Sequence, residues 1–468
     1  MIEHYDFVVI GGGSAGYAGA ATAARLGLRT VLIEGGKEVG GLCILRGCMP
    51  SKALLESAHR AEIIRRAGEF GLRAEYRGAD GPAILARKRR LIAEFADYRR
   101  QQLEAGKFEF LRGGARFLNS HCLEVTMLDG SVRQIEGRSF LIATGSRLNR
   151  VNLPGLDAVG CWDSDEVLDS AHIPKSVIVL GGGAVALEFA SYYSGLGSEV
   201  SVIQRGPHLL KEMDPDVAES LKTAMEKQGM HVYCGTALVG AERVGNLKRV
   251  SFDQDGVRCA VEGEEIIYGL GRRPATEGLD LQQAGVRLRQ FAVETEATQQ
   301  TCVPHIFAAG DVCGPYEVVH LALQQAELAA RNAARLLRSE DAGMERMDYA
   351  LKLFAVFTQP EVAAVGLTET EALSQGLDFV SATYPFSDHG KSIVRGATDG
   401  FVKLICARDS RRILGGAVIG PEASELIHEV AVAMHFRATA GDLSRVPHYH
   451  PTLSEIWTYP AEELAGES

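Results

Sequence analysis

The sequence predicts an α/β protein with two Rossmann-like dinucleotide-binding units and a C-terminal α+β domain. A glycine-rich turn stands between a short apolar strand and a helical stretch near residue 11, and the pattern returns near residue 181. Beyond residue 358, apolar strands precede a helical segment, which is typical of an α+β domain. A chain of 468 residues is long enough for about three domains.

The first unit begins with the apolar strand Phe7–Ile10, which leads into the turn Gly11–Gly16. An alanine-rich helix is expected to run from there to Leu26, and the strand Thr30–Ile33 follows it. The unit closes on Glu34, whose carboxylate can accept hydrogen bonds from a ribose diol. This first site therefore suits an adenine dinucleotide without a 2′-phosphate.

The second unit has the same order of elements. The strand Val177–Leu180 leads into the turn Gly181–Ala186, a helix is expected to reach about Gly195, and the strand Val200–Ile203 closes on Gln204. In both units the first glycine lies 23 residues before the residue that ends the second strand. A single turn of this kind is a weak signal, whereas two copies with matching spacing are a strong one.

Each glycine-rich turn is suited to bind a pyrophosphate. The first glycine permits the tight turn, the second lets backbone N–H groups approach the phosphates, and the third position lets helix and strand pack closely. The helix N-terminus then stabilises the phosphate charge. The expected phosphate-binding residues are Gly11, Gly13 and Gly16 in the first unit and Gly181, Gly183 and Ala186 in the second.

Composition and charge disfavour several classes of protein. Hydrophobic residues make up 46% and charged residues 23% of the chain, as in an ordinary globular protein. The formal net charge of −11 argues against nucleic-acid binding, and the basic run Arg87–Arg90 is expected to be a solvated helix face. No apolar run reaches membrane-spanning length, and the acidic start Met1–Asp6 does not resemble a secretion signal.

Two of the nine cysteines form a close pair, since only four residues separate Cys43 from Cys48. An odd number of cysteines scattered through the chain favours a reducing cytoplasm, where such a pair is more often catalytic or metal-binding than structural. Pro50 is well placed as the first residue of a helix, and a helix N-terminus favours a nearby thiolate. A zinc half-site is the alternative, but a second Cys/His pair at suitable spacing is missing from the sequence.

Six motifs, in this order, resemble the flavoprotein pyridine nucleotide-disulfide oxidoreductases, such as lipoamide dehydrogenase, glutathione reductase and mercuric reductase. They are Gly11–Gly16, the Cys43/Cys48 pair, Ala143-Thr144-Gly145, Gly181–Ala186, Ile306–Asp311 and His448–Glu455. The resemblance covers nearly the whole chain. It implies a homodimeric enzyme that passes electrons from a nicotinamide cofactor through FAD to a small-molecule or protein disulfide.

The resemblance also implies the division of the chain and the cofactor-binding residues. Residues 1–150 would form the first part of the FAD domain, 151–270 the nicotinamide domain, 271–347 the second part of the FAD domain and 348–468 the interface domain. The residues implied for FAD are Gly11, Gly13, Gly16, Glu34, Gly41, Lys52, Thr144, Gly145, Gly310 and Asp311. Those implied for the nicotinamide cofactor are Gly181, Gly183, Ala186, Gln204, Arg205, Lys211 and Gly271.

Catalytic roles follow from the same resemblance. Cys48 would be the thiolate that faces the flavin, and Cys43 would attack the substrate disulfide. Lys52 and Glu188 would form an ion pair near the reactive end of the flavin. The remaining pair, His450 and Glu455, would act as acid and base in the partner subunit's active site, and His448 is expected to be structural.

The end of the second strand favours NADPH over NADH. NAD enzymes place an acid there to bind the ribose 2′-hydroxyl, whereas this chain has Gln204 followed by Arg205. Arg205 and Lys211 align with the arginines that glutathione reductase uses for the 2′-phosphate, and Ala186 fits that class. NADH is the alternative if Arg205 is only a solvated charge.

The substrate is left open by the sequence. Glutathione is disfavoured because Ala21 and Leu328 stand where glutathione reductases carry substrate arginines, and the C-terminal tail has no cysteine pair of the mercuric reductase kind. The alternatives to an NADPH-dependent disulfide reductase are a dihydrolipoamide dehydrogenase that uses NAD, a metal-ion or quinone reductase, and a flavin-based redox sensor.

Overall fold

The computed structural model of the chain describes residues 2–339 and 343–466. These residues form two compact units, one from segments within 1–50, 87–150 and 271–348, the other from segments within 51–86, 151–270 and 349–468. The first unit thus resumes at Gly271 after a long intervening segment. The division into four segments at 150, 270 and 347 remains a prediction.

The strands are numbered in chain order. The first eleven are β1 (Ile2–Ile10), β2 (Thr30–Glu34), β3 (Glu109–Asn119), β4 (Cys122–Met127), β5 (Val132–Ile142), β6 (Ser146–Leu148), β7 (Ser176–Leu180), β8 (Glu199–Ile203), β9 (His231–Tyr233), β10 (Thr236–Val244) and β11 (Leu247–Gln254). The others are β12 (Val257–Gly263), β13 (Glu265–Tyr268), β14 (Arg272–Pro274), β15 (Leu288–Arg289), β16 (Ala292–Val293), β17 (Ile306–Ala308), β18 (Leu353–Val356), β19 (Glu361–Gly366), β20 (Phe379–Pro385), β21 (Phe401–Ala407) and β22 (Ile413–Gly420).

The α-helices lie between these strands and after the last of them. They are α1 (Ser14–Arg25), α2 (Gly41–Leu45), α3 (Cys48–Arg66), α4 (Gly81–Glu104), α5 (Leu156–Val159), α6 (Ser164–Asp169), α7 (Ala184–Leu196), α8 (Pro215–Lys227), α9 (Val319–Arg338), α10 (Glu369–Ser374), α11 (Gly390–Val394), α12 (Ala423–His435), α13 (Ala440–Ser444) and α14 (Thr458–Gly466). Short 3₁₀ helices occur at Ala67–Phe70, Leu281–Ala284, Phe386–Asp388 and Ser454–Trp457.

The first unit is built on a mixed sheet whose parallel part carries the first glycine-rich turn. Strand β1 pairs in parallel with β2 and β5, β2 pairs with β3, and β17 extends the sheet beside β5. Strands β3, β4 and β5 continue as an antiparallel meander. Residues 7–10 of β1 are buried, because a parallel strand covered on both faces must be apolar throughout.

Helix α1 packs closely because its buried face is made almost entirely of alanine and glycine. Ala15, Ala18, Gly19, Ala20 and Ala23 are buried on it. Small side chains let the helix approach both the sheet and the alanine-rich helix α9, which belong to one apolar cluster. This close packing brings the N-terminus of α1 to the carboxyl ends of β1 and β2, where parallel sheets bind their ligands.

The second unit contains the second glycine-rich turn in a parallel sheet of order β13-β7-β8-β9, beside an antiparallel sheet of β10, β11 and β12. Its C-terminal part is a five-stranded antiparallel sheet of order β18-β19-β22-β21-β20. Helices α12 and α14 and the buried Trp457 pack on this sheet in one apolar cluster. A glycine-rich turn in a parallel sheet of each unit, together with the C-terminal α+β part of the second unit, confirms the predicted fold class.

Two local predictions were wrong in detail. Helix α3 begins at Cys48, so Pro50 is its third residue and not its first. A proline is tolerated there because the N–H groups of the first turn have no partner within the helix. In the run Arg87–Arg90, Lys88 is only 4% exposed, whereas its three neighbours are exposed.

Among the described helices, none is both long and apolar enough to cross a membrane.

Candidate active site

A cleft of about 600 Å³ lies at the first glycine-rich turn. The turn Gly11–Gly13, the end of β2 at Glu34 and the segment Ala143–Ser146 line it. Gly13 is the N-cap of α1, so the positive end of that helix faces the turn. The predicted residues Gly11, Gly13, Glu34, Gly41, Thr144 and Gly145 all lie on this cleft.

Glu34 is held in place by the backbone of the turn. Its Oε2 accepts a hydrogen bond from the N–H of Gly12 at 2.6 Å, and its Oε1 accepts one from Gly36 at 2.5 Å. Each carboxylate oxygen retains a further lone pair, since a carboxylate can accept about four hydrogen bonds. The side chain is therefore oriented for the hydroxyl groups of a ribose.

The helix that carries Cys43 rests on the same turn. Gly41 has a φ of +72°, and a Cβ atom there would lie 2.5 Å from the Cα of Gly13. Only glycine fits this approach, which brings the start of α2 against the phosphate-binding turn. Cys43 lies within α2 and is half-buried, and Cys48 is the exposed first residue of α3. The predicted helix N-terminus at Cys48 is present.

Asp311 is fixed by two residues that were not predicted from the sequence. Its Oδ2 accepts a hydrogen bond from the hydroxyl of Ser146 at 2.7 Å, and Arg272 donates to that same hydroxyl oxygen at 2.9 Å. The neighbouring Gly310 donates its N–H to the buried side chain of Gln325 at 2.7 Å. Ser146 and Arg272 were missed because they lie far from Asp311, and Arg272 far from Ser146, in the sequence, so that no local motif joins the three residues.

These observations fit FAD. A glycine cradle that a Cβ atom would fill, a helix N-terminus and an oriented carboxylate at the end of β2 are what an adenine dinucleotide requires. The first turn would hold the pyrophosphate, Glu34 the adenosine ribose and Asp311 the ribityl chain. When bound, FAD supplies the two-electron link between a nicotinamide and a cysteine pair.

The second glycine-rich turn lies in the other unit and has the same backbone geometry. Gly181 has a φ of +114°, and a Cβ atom there would lie 2.4 Å from the carbonyl oxygen of Gly269. Gly183 is the N-cap of α7, and Ala186 is buried on the first turns of that helix. The predicted phosphate-binding residues are therefore gathered at one helix N-terminus. Gly271, which was also predicted to bind the nicotinamide cofactor, belongs to the first unit.

The residues after β8 differ chemically from those after β2. Gln204 occupies the place of Glu34, and its amide donates to the carbonyl of His208 at 3.3 Å. Arg205 is exposed, and no salt bridge to it is found among the described residues. Lys211 is 82% exposed and lies 3.5 Å from the carboxylate of Glu212. A neutral amide at the strand end, followed in sequence by the exposed cations Arg205 and Lys211, is suited to a 2′-phosphate.

Lys52 and Glu188 form an ion pair in the second unit. The Nζ atom of Lys52 lies 2.7 Å from Oε1 and 2.8 Å from Oε2 of Glu188, whose side chain is 6% exposed. Phe357 supports both partners, since its N–H donates to Glu188 at 3.2 Å and its ring lies 4.5 Å from the ammonium. Phe357 was not predicted from the sequence, because no local pattern links it to Glu188.

His450 and Glu455 also meet in the second unit. The Nδ1 atom of His450 lies 3.0 Å from Oε2 of Glu455. The imidazole is 81% exposed, whereas the carboxylate is only 11% exposed. His448 instead packs inward, with its Nδ1 bonded to the carbonyl of Val446 and its Nε2 to Glu429. These bonds agree with its predicted structural role.

Two family models together match most of the chain. Residues 5–326 match the model described as pyridine nucleotide-disulphide oxidoreductase, and residues 354–461 match the dimerisation domain of the same family. Dihydrolipoyl dehydrogenase from Chlamydia muridarum is 35% identical over 466 residues, covering 98% of this chain and 97% of the relative. The enzyme of that name from Thermus scotoductus is 36% identical over 468 residues, covering 99% and 98%.

A mercuric reductase from Bacillus cereus is 30% identical over 453 residues, which cover 96% of this chain and 70% of the relative. Among solved structures, LpdA from Mycobacterium tuberculosis superposes with a TM-score of 0.87 at 28% identity, covering 98% of this chain and 99% of that one. The HOCl-induced flavoprotein disulfide reductase RclA from Escherichia coli, solved as a Cu(II) complex, has a TM-score of 0.84 at 25% identity with the same coverage.

The resemblance inferred from the six motifs is confirmed by these matches. Enzymes of this family use FAD and NAD(P)H, which are the cofactors that the two glycine-rich turns predict. This chain belongs to the pyridine nucleotide-disulphide oxidoreductases and is a flavoprotein disulfide oxidoreductase.

Proposed function

We propose that this enzyme uses NADPH to reduce an external disulfide by way of FAD and the Cys43–Cys48 pair. The observation that carries the proposal is the contact of Gly41 with Gly13, which ties the helix bearing Cys43 to the first phosphate-binding turn. A cysteine pair fixed beside a dinucleotide cradle is placed to exchange electrons with the bound cofactor. The identity of the disulfide stays open at this level.

The thiol exchange oxidises the two thiols of Cys43 and Cys48 and reduces the substrate disulfide. The Cys43 thiolate attacks one sulfur of the substrate disulfide, and the bond between the two substrate sulfurs breaks. The departing thiolate takes from the imidazolium of His450 the proton that the neutral imidazole had removed from the Cys43 thiol. The Cys48 thiolate then attacks the Cys43 sulfur, which releases the second substrate thiolate and leaves a Cys43–Cys48 disulfide. NADPH and FAD supply the two electrons that restore the dithiol.

The ion pair and the helix terminus assist this chemistry. Cys48 is the first residue of a helix of 19 residues, whose N-terminal partial charge favours its thiolate. One turn later the same helix carries Lys52, which is oriented by Glu188. We assign Lys52 to the cofactor and Glu188 to the positioning of Lys52.

The preference for NADPH rests on the contrast between Glu34 and Gln204 at equivalent strand ends. A carboxylate would repel a 2′-phosphate, whereas the amide of Gln204 does not, and Arg205 adds an exposed guanidinium beside it. We expect the wild-type enzyme to be reduced faster by NADPH than by NADH. Anaerobic reduction with each cofactor, followed by visible absorption, measures this directly.

An Arg205→Gln variant should lose much of this preference. We expect its KM for NADPH to rise by about tenfold to a hundredfold, because a charge-assisted phosphate contact is lost. Its KM for NADH should change little, and so should turnover at saturation. Arg258 is an exposed arginine of the same unit that pairs with Asp253, and Arg258→Gln is the matched control. Equal effects on NADPH and NADH would refute the role of Arg205.

The exposure of His450 supports a homodimer in which this imidazole enters the partner subunit's active site. Mixing the inactive variants Cys43→Ser and His450→Ala should then restore activity, because each hybrid dimer keeps one complete site. Random exchange of subunits predicts about a quarter of the wild-type rate. Native mass spectrometry would establish that hybrids form, and hybrids without activity would contradict the arrangement.

Dihydrolipoamide oxidation with NAD is the second candidate function, because relatives with 35% and 36% identity bear the name dihydrolipoyl dehydrogenase. Gln204 is the residue that weighs against it in this chain. The two functions separate in steady-state assays that compare lipoamide reduction by NADPH with dihydrolipoamide oxidation by NAD.

A further inference from the structure

The carboxylate of Glu455 lies between two histidines. Its Oε2 is 3.0 Å from Nδ1 of His450, and its Oε1 is 3.5 Å from Nε2 of His389. His389 immediately precedes helix α11, and its side chain is completely buried. The exposed member of the family's acid–base pair is therefore backed by a second histidine that solvent does not reach.

The tautomer of His389 depends on the direction of its hydrogen bond with Ser392. Its Nδ1 lies 2.8 Å from the hydroxyl of Ser392, which is also buried. If that hydroxyl donates to Nδ1, the ring proton resides on Nε2 and points towards Glu455. The separation of 3.5 Å exceeds an ordinary N–H···O bond by about half an ångström, a change that a side-chain rotation can provide.

The surroundings keep this imidazole neutral. The rings of Phe386 and Tyr459 stand nearly perpendicular to it, with centroids 6.4 Å and 6.3 Å away. Burial lowers the pKa of His389, and the charge of His450 lowers it further, although Glu455 opposes both. A neutral ring can donate one hydrogen bond to the carboxylate without competing with His450 for its negative charge.

We propose that His389 is a positioning residue for catalysis, which holds Oε1 of Glu455 and thereby keeps Oε2 on His450. A carboxylate anchored at one oxygen cannot rotate away from the imidazole that it must stabilise when that imidazole is protonated. The inference rests on the proposed acid–base role of His450. It adds a third member to that pair, one contributed by a separate element of the same unit.

The test compares His389→Leu with His389→Gln in the FAD-loaded enzyme. Leucine removes the donor, whereas the amide nitrogen of glutamine can reach the position of Nε2. We expect His389→Leu to lower kcat about tenfold with KM changed less than about twofold, since only part of the acid–base contribution is lost. The acid limb of the kcat/KM profile should move down by about half a pH unit, because the imidazolium of His450 loses its carboxylate.

Rescue and controls separate the possible results. His389→Gln should recover most of the rate and the wild-type pH profile. Ser392→Ala should move the acid limb of the kcat/KM profile in the same direction as His389→Leu, but by less. A loss of activity in His389→Leu with an unshifted profile, or a glutamine variant as impaired as leucine, would overturn the positioning role. If His389→Leu does not fold, the kcat/KM pH profiles of His389→Gln and Ser392→Ala decide whether His389 positions Glu455. His450→Ala tests the underlying function, and full activity of that variant would show that the proposed function itself has failed.

Discussion

A Cys43→Ser variant is expected to lose disulfide reduction by on the order of a thousandfold or more, because the attacking thiolate is replaced by a weakly nucleophilic hydroxyl. Cys48→Ser should have a loss of similar size, since the mixed disulfide could not be resolved. Both variants should still bind FAD and accept electrons from NADPH. Anaerobic reduction by NADPH tests electron transfer to the flavin, and turnover with a disulfide tests the thiol steps. Both should be measured on the same preparation.

The other cysteines provide the control for this result. Cys302 is exposed on the first unit, and Cys302→Ser should leave turnover unchanged. Cys406 is buried, and burial raises the pKa of its thiol to about 12, so it stays protonated at neutral pH. Disulfide reduction that persisted in Cys43→Ser would favour reduction of an acceptor directly at the flavin, as in a quinone or metal-ion reductase.

A Lys403→Met variant is expected to destabilise the second unit by about 3–5 kcal/mol, because it leaves the buried carboxylate of Asp214 and its two more exposed neighbours without their cation. Lys403 is 1% exposed, and its Nζ lies 2.6 Å from Asp216, 3.0 Å from Glu369 and 3.5 Å from Asp214. These three carboxylates are close enough to hold a metal ion, but the ammonium of Lys403 already lies among them. Asp214 also accepts the N–H groups of Glu369 and Thr370, each at 3.0 Å.

The cost of Lys403→Met should depend on pH. Burial opposes ionisation of Asp214, yet the N–H groups of Thr370 and Glu369 together with Lys403 hold its pKa below the usual value. A carboxyl whose pKa is lower in the folded than in the unfolded protein stabilises the fold at pH values above the unfolded pKa. This stabilisation is lost as the pH falls through the pKa of the folded protein. Lys403→Met raises the pKa of Asp214 in the folded protein. Its loss in free energy of unfolding, relative to the wild-type protein, should therefore be largest near neutral pH and smaller in acid.

Chemical unfolding of the FAD-loaded protein at several pH values measures this deficit. Lys227→Met is the matched control, since Lys227 is 66% exposed and pairs with Asp399 at the surface. Its effect should stay within about 0.5 kcal/mol. A Lys403→Met enzyme as stable as Lys227→Met would show that the buried carboxylate of Asp214 takes up a proton at little cost.

The dinucleotide-binding units could be predicted because their signals are local. Glycine spacing, a strand before the turn and a residue at the end of the next strand lie within a short stretch, and the physics of phosphate binding requires each of them. Strand β1 nevertheless begins five residues before the predicted Phe7, since its first residues pair with β5. That partner lies more than a hundred residues away and leaves no trace in the local pattern.

The supporting residues of the site could not be predicted for the same reason. Phe357 meets Glu188 across 169 positions, and Ser146 meets Asp311 across 165. Outside the site, Lys403 is one polar residue in an apolar strand, although it pairs with three carboxylates from other elements. Such contacts follow from the tertiary packing, which composition and periodicity do not encode.

The contact between Gly41 and Gly13 has a consequence for how this enzyme can evolve. A side chain at position 41 would meet the backbone of Gly13, so it would disturb the cofactor cradle and the thiol-bearing helix at once. Flavin affinity and thiol placement therefore cannot be varied independently at this point of the chain. Substitutions that change one of these properties without the other must therefore lie at positions away from this contact.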